Sequence, residues 1–460
     1  MLETNWRIKM FVKSLVLRSS AVALLLLTTA LVCVSPAAAK AQSPTRSGGT
    51  TEARSSSGAL SAKERIEVFE EVWKTINEKY YDPKFNGVDW NAVHERYRPR
   101  VDIVKSDEEF YSQLRQMAGE LRDAHTRVRS PRQREDRKKQ QGVSTGISIR
   151  EVENTPVVTK VNPDSDAARA GVAPGMIVQT IDDKPVAERV AEVRKEIGSS
   201  SSDRATRLFI YGRILAGDPD TPSKLGLPRA DGKPFEVTLT RRTISGSPQF
   251  TSQLLPSGYA YIKFNEFQSP VSNRIKDALE TYKNAPGLIV DLRDNGGGDV
   301  QEMLRIVGYF FNDKVFIARG ATRTGKSISV LGGLISIPLE AYAGRRGGQI
   351  YSGAVVILTS ERTGSAAETF SAGMQENNRA TIIGTQSCGC ALVVLKHREL
   401  KGGGELDISE VGGLTAKGRK LEGNGVLPDK TVALTIADLQ QGRDVALKEA
   451  ESFLKNAPKK

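Results

Sequence analysis

"TSERTGSAAETFSAGMQENNRATIIGTQSCGCALVV", residues 359–394, decides how the chain folds. The apolar run "AVVILTS" (354–360) enters it as a buried strand. Ala366–Asn377 reads as a helix, and "ATIIGT" (380–385) as a further strand. Strand, loop, helix and strand in succession form the unit of an α/β domain, where sites gather at the carboxyl ends of strands. Ser365 stands where the helix begins. There the dipole favours negative charge and the Ala366 N–H points outward. Serine is also a common helix cap, and that role alone would account for it.

The same alternation extends upstream. "GYAYIKF" (258–264) is a strand, 269–284 a helix, and "GLIVDLRDNGGG" (287–298) a buried strand running into glycines. The helix "DVQEMLRIVGYFF" (299–311) follows. Three consecutive glycines expose backbone N–H groups without side-chain obstruction, and such amides can hold an anionic oxygen. A tight turn would use the same residues. The two junctions, 291–299 and 359–368, should therefore lie close together.

At 460 residues, 39% hydrophobic and 26% charged, the chain is too long for one core, and two or three domains follow. Arg7, Lys9, Lys13 and Arg18 precede the apolar run Ala21–Val34, and "SPAAAKA" offers small residues for cleavage near Ala39. Residues 1–39 read as a secretory signal peptide, with a short membrane anchor as the alternative. The run is too short to span comfortably, and Val32 makes Cys33 a poor lipid-anchor site. An exported protein is implied, periplasmic or extracellular, with no integral membrane segment after signal removal. The net charge is +12, and "RQREDRKK" (132–139) reads as a solvated linker. No zinc-finger spacing or stacking-aromatic motif accompanies it, which argues against a nucleic-acid partner. Beyond Cys33 only Cys388 and Cys390 remain, so there is no disulfide framework.

Residues 40–60 are rich in Ser, Thr and Gly and read as a flexible tether. Ile66, Phe69, Trp73, Ile76 and Tyr80 share one helical face. Ser106 and Glu109 form a capping box before the stripe Phe110, Leu114, Met117 and Leu121. That helix ends before "RDAHTRV", which leaves His125 in a loop and gives a helical domain over 61–135. Residues 141–242 alternate like strands around short helices, with 186–197 helical and "FEVTLTRR" closing as a strand. The order, and the run "PDSDAARAGVAPGMIVQTIDDKPV" (163–186), resembles a circularly permuted PDZ domain of bacterial proteases. The resemblance implies that Thr145, Gly146, Ile147 and Ser148 receive a peptide C-terminus, with the peptide adding as a strand. A purely structural spacer is the alternative.

"YAYIKFNEF", "GLIVDLRDNGGG", "VVILTSERTGSAAETFSAGMQENNRATIIGT" and "GNGVLPD" occur in the order of the tail-specific, or carboxyl-terminal processing, serine proteases. "FEEVWKTINEKYYDPKFNGVDW" (69–90) and the PDZ-like insert are similar too, so the likeness covers about 61–435. It implies a multi-domain α/β architecture: the helical domain, the β-rich PDZ-like domain and a catalytic α/β domain over 243–455. By position Ser365 matches the family nucleophile. Gly297, Gly298 and the Ala366 amide match the oxyanion hole.

The departure lies at Cys390. Processing proteases read "G-x-x-x-F-G-K-G" here, with Lys as the base, whereas this chain reads "GTQSCGCA", and Val394 replaces a supporting Gln. A lysine–serine dyad cannot operate. Cys390 could be a nucleophile, a metal ligand or a packing residue, and packing is favoured for both cysteines. At i and i+2 on a strand a bridge between them would be strained, and no further ligands are spaced for a metal. Three histidines exist. His94 sits in a helical stretch, and His397 lies between Lys396 and Arg398. His125 is different: "LRDAHTRV" resembles the "L-x-D-x-H-T" segment of a tricorn-like branch, where this His is the base. That branch places a Glu before "G-V-x-P-D", and "KLEGNGVLPD" supplies Glu422. It also has Ser before the His, where Ala124 stands, and in lysine-branch members a similar His is not the base.

The reading is an exported serine endopeptidase acting on unfolded or C-terminally accessible polypeptides through an acyl-enzyme, without cofactor. Ser365 is the nucleophile, His125 the base and Glu422 the orienting acid. A catalytically dead peptide-binding adaptor and a protease with a different base are the alternatives. The oligomeric state is left open.

Overall fold

The strands foreseen between 258 and 385 join one six-stranded sheet. Its order is Phe250–Leu254, Ala260–Phe264, Gly287–Asp291, Ala354–Thr359, Thr381–Gly384 and Lys430–Thr431. Only the first pair is antiparallel. The central strands are apolar on both faces because both faces are covered. Leu288, Val290, Val355 and Ile357 join the core that takes in helices Val271–Thr281, Val300–Gly308 and Ala366–Glu376. Ile289, Val356, Leu358 and Ile383 pack with helix Val445–Asn456 on the other side. Gly287–Asp291 and Ala354–Thr359 are neighbours, so the loops at their carboxyl ends meet. Ser360 Oγ donates to the Arg293 carbonyl at 2.6 Å, Thr363 Oγ1 to that of Leu292 at 2.8 Å, and the Gly364 N–H to that of Asn295 at 3.0 Å.

The computed structural model describes residues 59–228, 232–330 and 335–456, with Ser56–Lys460 as one compact unit. The signal-peptide reading of 1–39, and all but the last two residues of the tether, lie outside them. No helix among the described residues is long and apolar enough to cross a membrane.

Helix Ala62–Lys79 starts on a Ser61–Glu64 capping box and buries Val68, Phe69, Val72 and Ile76. Helix Asp107–Gly119 buries the foreseen Phe110, Leu114 and Met117, and Leu121 is buried just beyond it. Ser106 accepts from the Glu109 N–H, but the Glu109 carboxylate accepts from Lys105 rather than closing the box on Ser106. This core is completed from far along the chain by Leu400, Leu406 and Ile408. Strand Arg127–Arg129 pairs with Glu405–Asp407. The basic run read as a linker is instead the helix Pro131–Lys138. Its Arg134 and Arg137 form ion pairs with Glu399 and Glu405, which offset the charge that suggested solvation.

Residues 141–245 have their own core around Ile149, Val158, Val178, Ile210, Leu225 and Leu239. Hairpin Ile147–Val152/Thr155–Val161 and a four-stranded sheet enclose it with helices Val186–Ile197 and Asp203–Arg213. The sequence reading gave no element to 203–213. Yet this helix, capped by Ser202, lies beside strand Ile147–Val152 and starts against the site.

Candidate active site

Ser365 sits on the turn between strand Ala354–Thr359 and helix Ala366–Glu376 with φ 54° and ψ −120°. A non-glycine residue there costs on the order of 1–3 kcal/mol, which the surroundings must offset. Its N–H donates to the Cys390 carbonyl at 2.9 Å and to Glu368 Oε2 at 3.1 Å. The Glu368 N–H donates to the Ser365 carbonyl at 3.0 Å, so the hydroxyl is not taken up by it. Gly297 lies against it. A Cβ at Gly297 (φ 112°) would stand 2.6 Å from Ser365 Cβ and 3.0 Å from the Ala366 nitrogen, so only glycine keeps that amide approachable. One oxyanion assignment needs correction. The Gly297 N–H is already donated to Asn295 Oδ1 at 2.9 Å. The Gly298 and Ala366 amides have no partner among the described residues, and these two are the donors left for an oxyanion.

Glu368 was not foreseen as a site residue. Its fully buried carboxylate accepts from Ser387 Oγ (2.6 Å) and from the Gly389, Cys390 and Ser365 N–H groups (2.7, 2.8 and 3.1 Å). Burial raises its pKa, and these four donors counter the rise. Glu368 thus ties the Ser365 turn to segment 387–390. The signal was Glu three residues after a serine at a helix start, the capping pattern, here turned to a different use. Cys388 and Cys390 are joined by a disulfide, with Cα atoms 5.3 Å apart. The expectation of two separate packing thiols assumed a strand. Instead the chain turns at Gly389 (φ +77°), which removes that premise. Cys390 offers its carbonyl to Ser365, not a free thiol.

His125 lies in a loop organised by Asp123. That carboxylate accepts from the His125 and Thr126 N–H groups (2.6 and 2.9 Å), Thr126 Oγ1 (2.5 Å) and Ser409 Oγ (2.8 Å). Ala124 packs on Cys388 and Cys390, so this loop rests on the segment that holds the Ser365 N–H. His125 Nδ1 is buried without a partner. Burial first, and Arg127 second, push its pKa down to about 4. The imidazole is therefore neutral at physiological pH and able to accept a proton. No hydrogen bond among the described residues joins its ring to Ser365 or Glu422; catalytic bonds commonly close only around substrate.

Glu422 is buried, with Oε2 accepting from the Ala391 N–H at 2.7 Å and Oε1 unpartnered. Burial lifts its pKa to about 7, Asp123 and Glu368 push the same way, and the Ser201 hydroxyl and the Ala391 N–H pull it back. No hydrogen bond among the described residues joins it to His125. The next residue, Gly423, donates to the Gly389 carbonyl at 2.9 Å and lies beside the Ser201 carbonyl, so segment 387–391 and the serine run 199–202 meet here.

Near the PDZ-like loop, Thr145 is buried with Oγ1 unpartnered. Gly146 donates to Ser144 Oγ at 3.0 Å, and a Cβ there would meet Ser165 Cβ at 2.4 Å. Ile147 and Ser148 pair with Val161 and Lys160. The other edge of their strand pairs with no strand among the described residues, and Arg150 on that strand forms an ion pair with Glu361 of the loop before Ser365. His94 bonds Glu70 at 3.0 Å against Phe69 and Trp73. His397 Nδ1 is 2.6 Å from Asp407. With Glu405, these two form the one set of metal-type ligands among the described residues. Arg129 and Arg137 already pair with both carboxylates, so the cluster is an ion-pair network rather than a cation site.

Residues 258–432 match the peptidase family S41 model, and residues 61–119 match that of the tricorn protease C1 domain. Similar proteins include carboxyl-terminal-processing proteases and tricorn protease homologues. The chain is 26% identical over 340 residues to carboxyl-terminal-processing peptidase 2, chloroplastic, of Arabidopsis thaliana, covering 70% of this chain and 60% of that one. To the carboxyl-terminal-processing protease of Synechocystis it is 24% identical over 410 residues, 86% and 88% of the two chains. The photosystem II D1 C-terminal processing protease shares the fold, with TM-score 0.53 at 21% identity over 80% of this chain and 93% of that one.

Proposed function

We propose that the protein is an exported serine endopeptidase that cleaves polypeptides with accessible C-termini through an acyl-enzyme. Ser365 attacks, His125 accepts its proton and returns it to the leaving amine, and the Gly298 and Ala366 amides receive the carbonyl oxygen. Glu422 acts as an ionised carboxylate beside the His125 loop. The observation that carries the reading is the Ser365 turn, a positive-φ serine whose hydroxyl is not taken up by the Glu368 N–H, beside an amide that only glycine leaves open. A peptide-binding adaptor would have no use for that geometry. A fluorophosphonate should modify Ser365 and no other serine, read by mass spectrometry of the digested protein. Absence of the adduct on folded protein would leave the adaptor reading in place.

Residues 141–242 deliver the substrate. A peptide adds along the unpaired edge of strand Ile147–Val152, beside helix Asp203–Arg213, with its carboxylate at Thr145–Ser148. A peptide with a free carboxylate is expected to bind about tenfold tighter than its amide in a direct binding titration. Equal affinities would make this region a spacer.

A further inference from the structure

Where processing proteases carry a lysine this chain has Cys390, and its sulfur is bonded to that of Cys388. Residues 388–390 form a bracket on the Ser365 turn. The Cys388 N–H donates to the Thr363 carbonyl at 2.9 Å, and the Cys390 carbonyl accepts the Ser365 N–H at 2.9 Å. Between these bonds the Gly389 and Cys390 N–H groups donate to the Glu368 carboxylate at 2.7 and 2.8 Å. The two remaining carbonyls are held from other parts of the chain. That of Cys388 accepts from Ser202 Oγ at 2.5 Å, and that of Gly389 from the Gly423 N–H at 2.9 Å. Every backbone N–H and carbonyl of the tripeptide is thereby engaged, most of them by residues 363–368.

This pattern needs one backbone shape. Gly389 takes φ +77°, and a Cβ there would stand 2.9 Å from the Gly423 carbonyl carbon, so only glycine fits the turn. Glycine is also the residue that fixes its own backbone least, and the bridge closes directly over it. It sets the two flanking Cα atoms 5.3 Å apart. Stabilisation by a disulfide grows with the loop it closes, and this loop is very short, so its main effect is on local geometry. Both cysteines are buried, in one cluster with Ala124 of the His125 loop and Ala205 of helix Asp203–Arg213. We propose that the Cys388–Cys390 bridge is a redox latch on the active site, which must close before the Ser365 turn is held in its working shape. Closure is a thiol–disulfide exchange. One cysteine thiolate attacks a disulfide oxidant and expels a thiol, and the second cysteine then displaces the other half. The pair loses two electrons and two protons, and the oxidant leaves as two thiols. Such oxidants prevail outside the cytoplasm, where thiols are otherwise kept reduced. An exported protease is thus held slack in the compartment that makes it and assembled in the one it reaches.

The inference rests on the proposed role of Ser365, and the experiment separates the two. The full chain is folded either under a phosphine reductant or with oxidised glutathione. The tryptic peptide 380–396 carries both cysteines and is two hydrogens lighter when bridged, which reports the state by mass. In the dithiol form a fluorophosphonate should modify Ser365 at least about tenfold more slowly, with kcat lowered in proportion and KM little changed. Its thermal midpoint should stay close to that of the bridged form. Unfolding the dithiol form and refolding it with oxidised glutathione should restore the rate. The double variant Cys388→Ser/Cys390→Ser should react at the slow rate under both conditions. Equal rates in the dithiol and bridged forms, or a double variant as fast as the bridged protein, would overturn the latch. A lost thermal transition in both unbridged forms would also overturn it, by assigning the bridge to stability. Absence of a Ser365 adduct in the bridged form would overturn the underlying reading of Ser365 instead.

Discussion

Ser365→Ala is expected to lower cleavage of an unfolded protein by at least about 10³-fold, with the folded structure unchanged. The size follows from the role: no other group in the turn can form the acyl bond, and the residual rate comes from the oxyanion amides and binding alone. Unchanged stability follows from the geometry. Replacing a serine helix cap by alanine ordinarily costs about 0.5–2 kcal/mol, but here the Glu368 N–H donates to the Ser365 carbonyl and the Glu368 carboxylate holds the Ser365 N–H. The thermal midpoint should therefore stay at the wild-type value. A variant that still cleaves near the wild-type rate, with contaminating proteases excluded, would remove Ser365 from the mechanism.

His125→Ala is expected to lose about 10²–10⁴-fold in kcat, the usual cost of a missing general base. Combined with Ser365→Ala it should lose little more, because members of one catalytic unit are not additive. The pH profile refines this. Free imidazole titrates near neutrality, but burial holds His125 at about 4, so it is already neutral across the assay range. Glu422 is the group raised to about 7. Its ionised form is the active one, so activity should rise with pH through about 7 and level off above it. In Glu422→Gln that rise should vanish, leaving a lower rate that is nearly flat from about pH 5 to 8. A rise near neutrality that persists in the Gln variant would return the limb to another group.

The parallel sheet and its two loop junctions were legible because buried strands carry continuous apolar runs and the glycine loop and nucleophile turn lie within single short segments. The proximity of Ser365 to Gly297 followed from strand adjacency. What escaped was set by contacts far apart in sequence. Leu400, Leu406 and Ile408 close the helical core, and no periodicity within 61–135 could announce them. Ser202 and Arg204 lie in a stretch that shows no periodicity of its own, and their contacts exist only once the insert is folded and its helix laid against residues 387–424. The turn at Gly389 depends on the Glu368 carboxylate gathering the amides of 389 and 390. A strand reading of that segment misplaced both cysteines.

The central claim is that His125 takes the proton from Ser365. The rate at which a fluorophosphonate modifies Ser365, compared between the native protein and folded His125→Ala, tests it without any assumption about substrate or peptide delivery. The account predicts adduct on Ser365 in both, formed about 10²–10⁴-fold more slowly in the variant. Equal rates of modification would contradict it and place the base elsewhere.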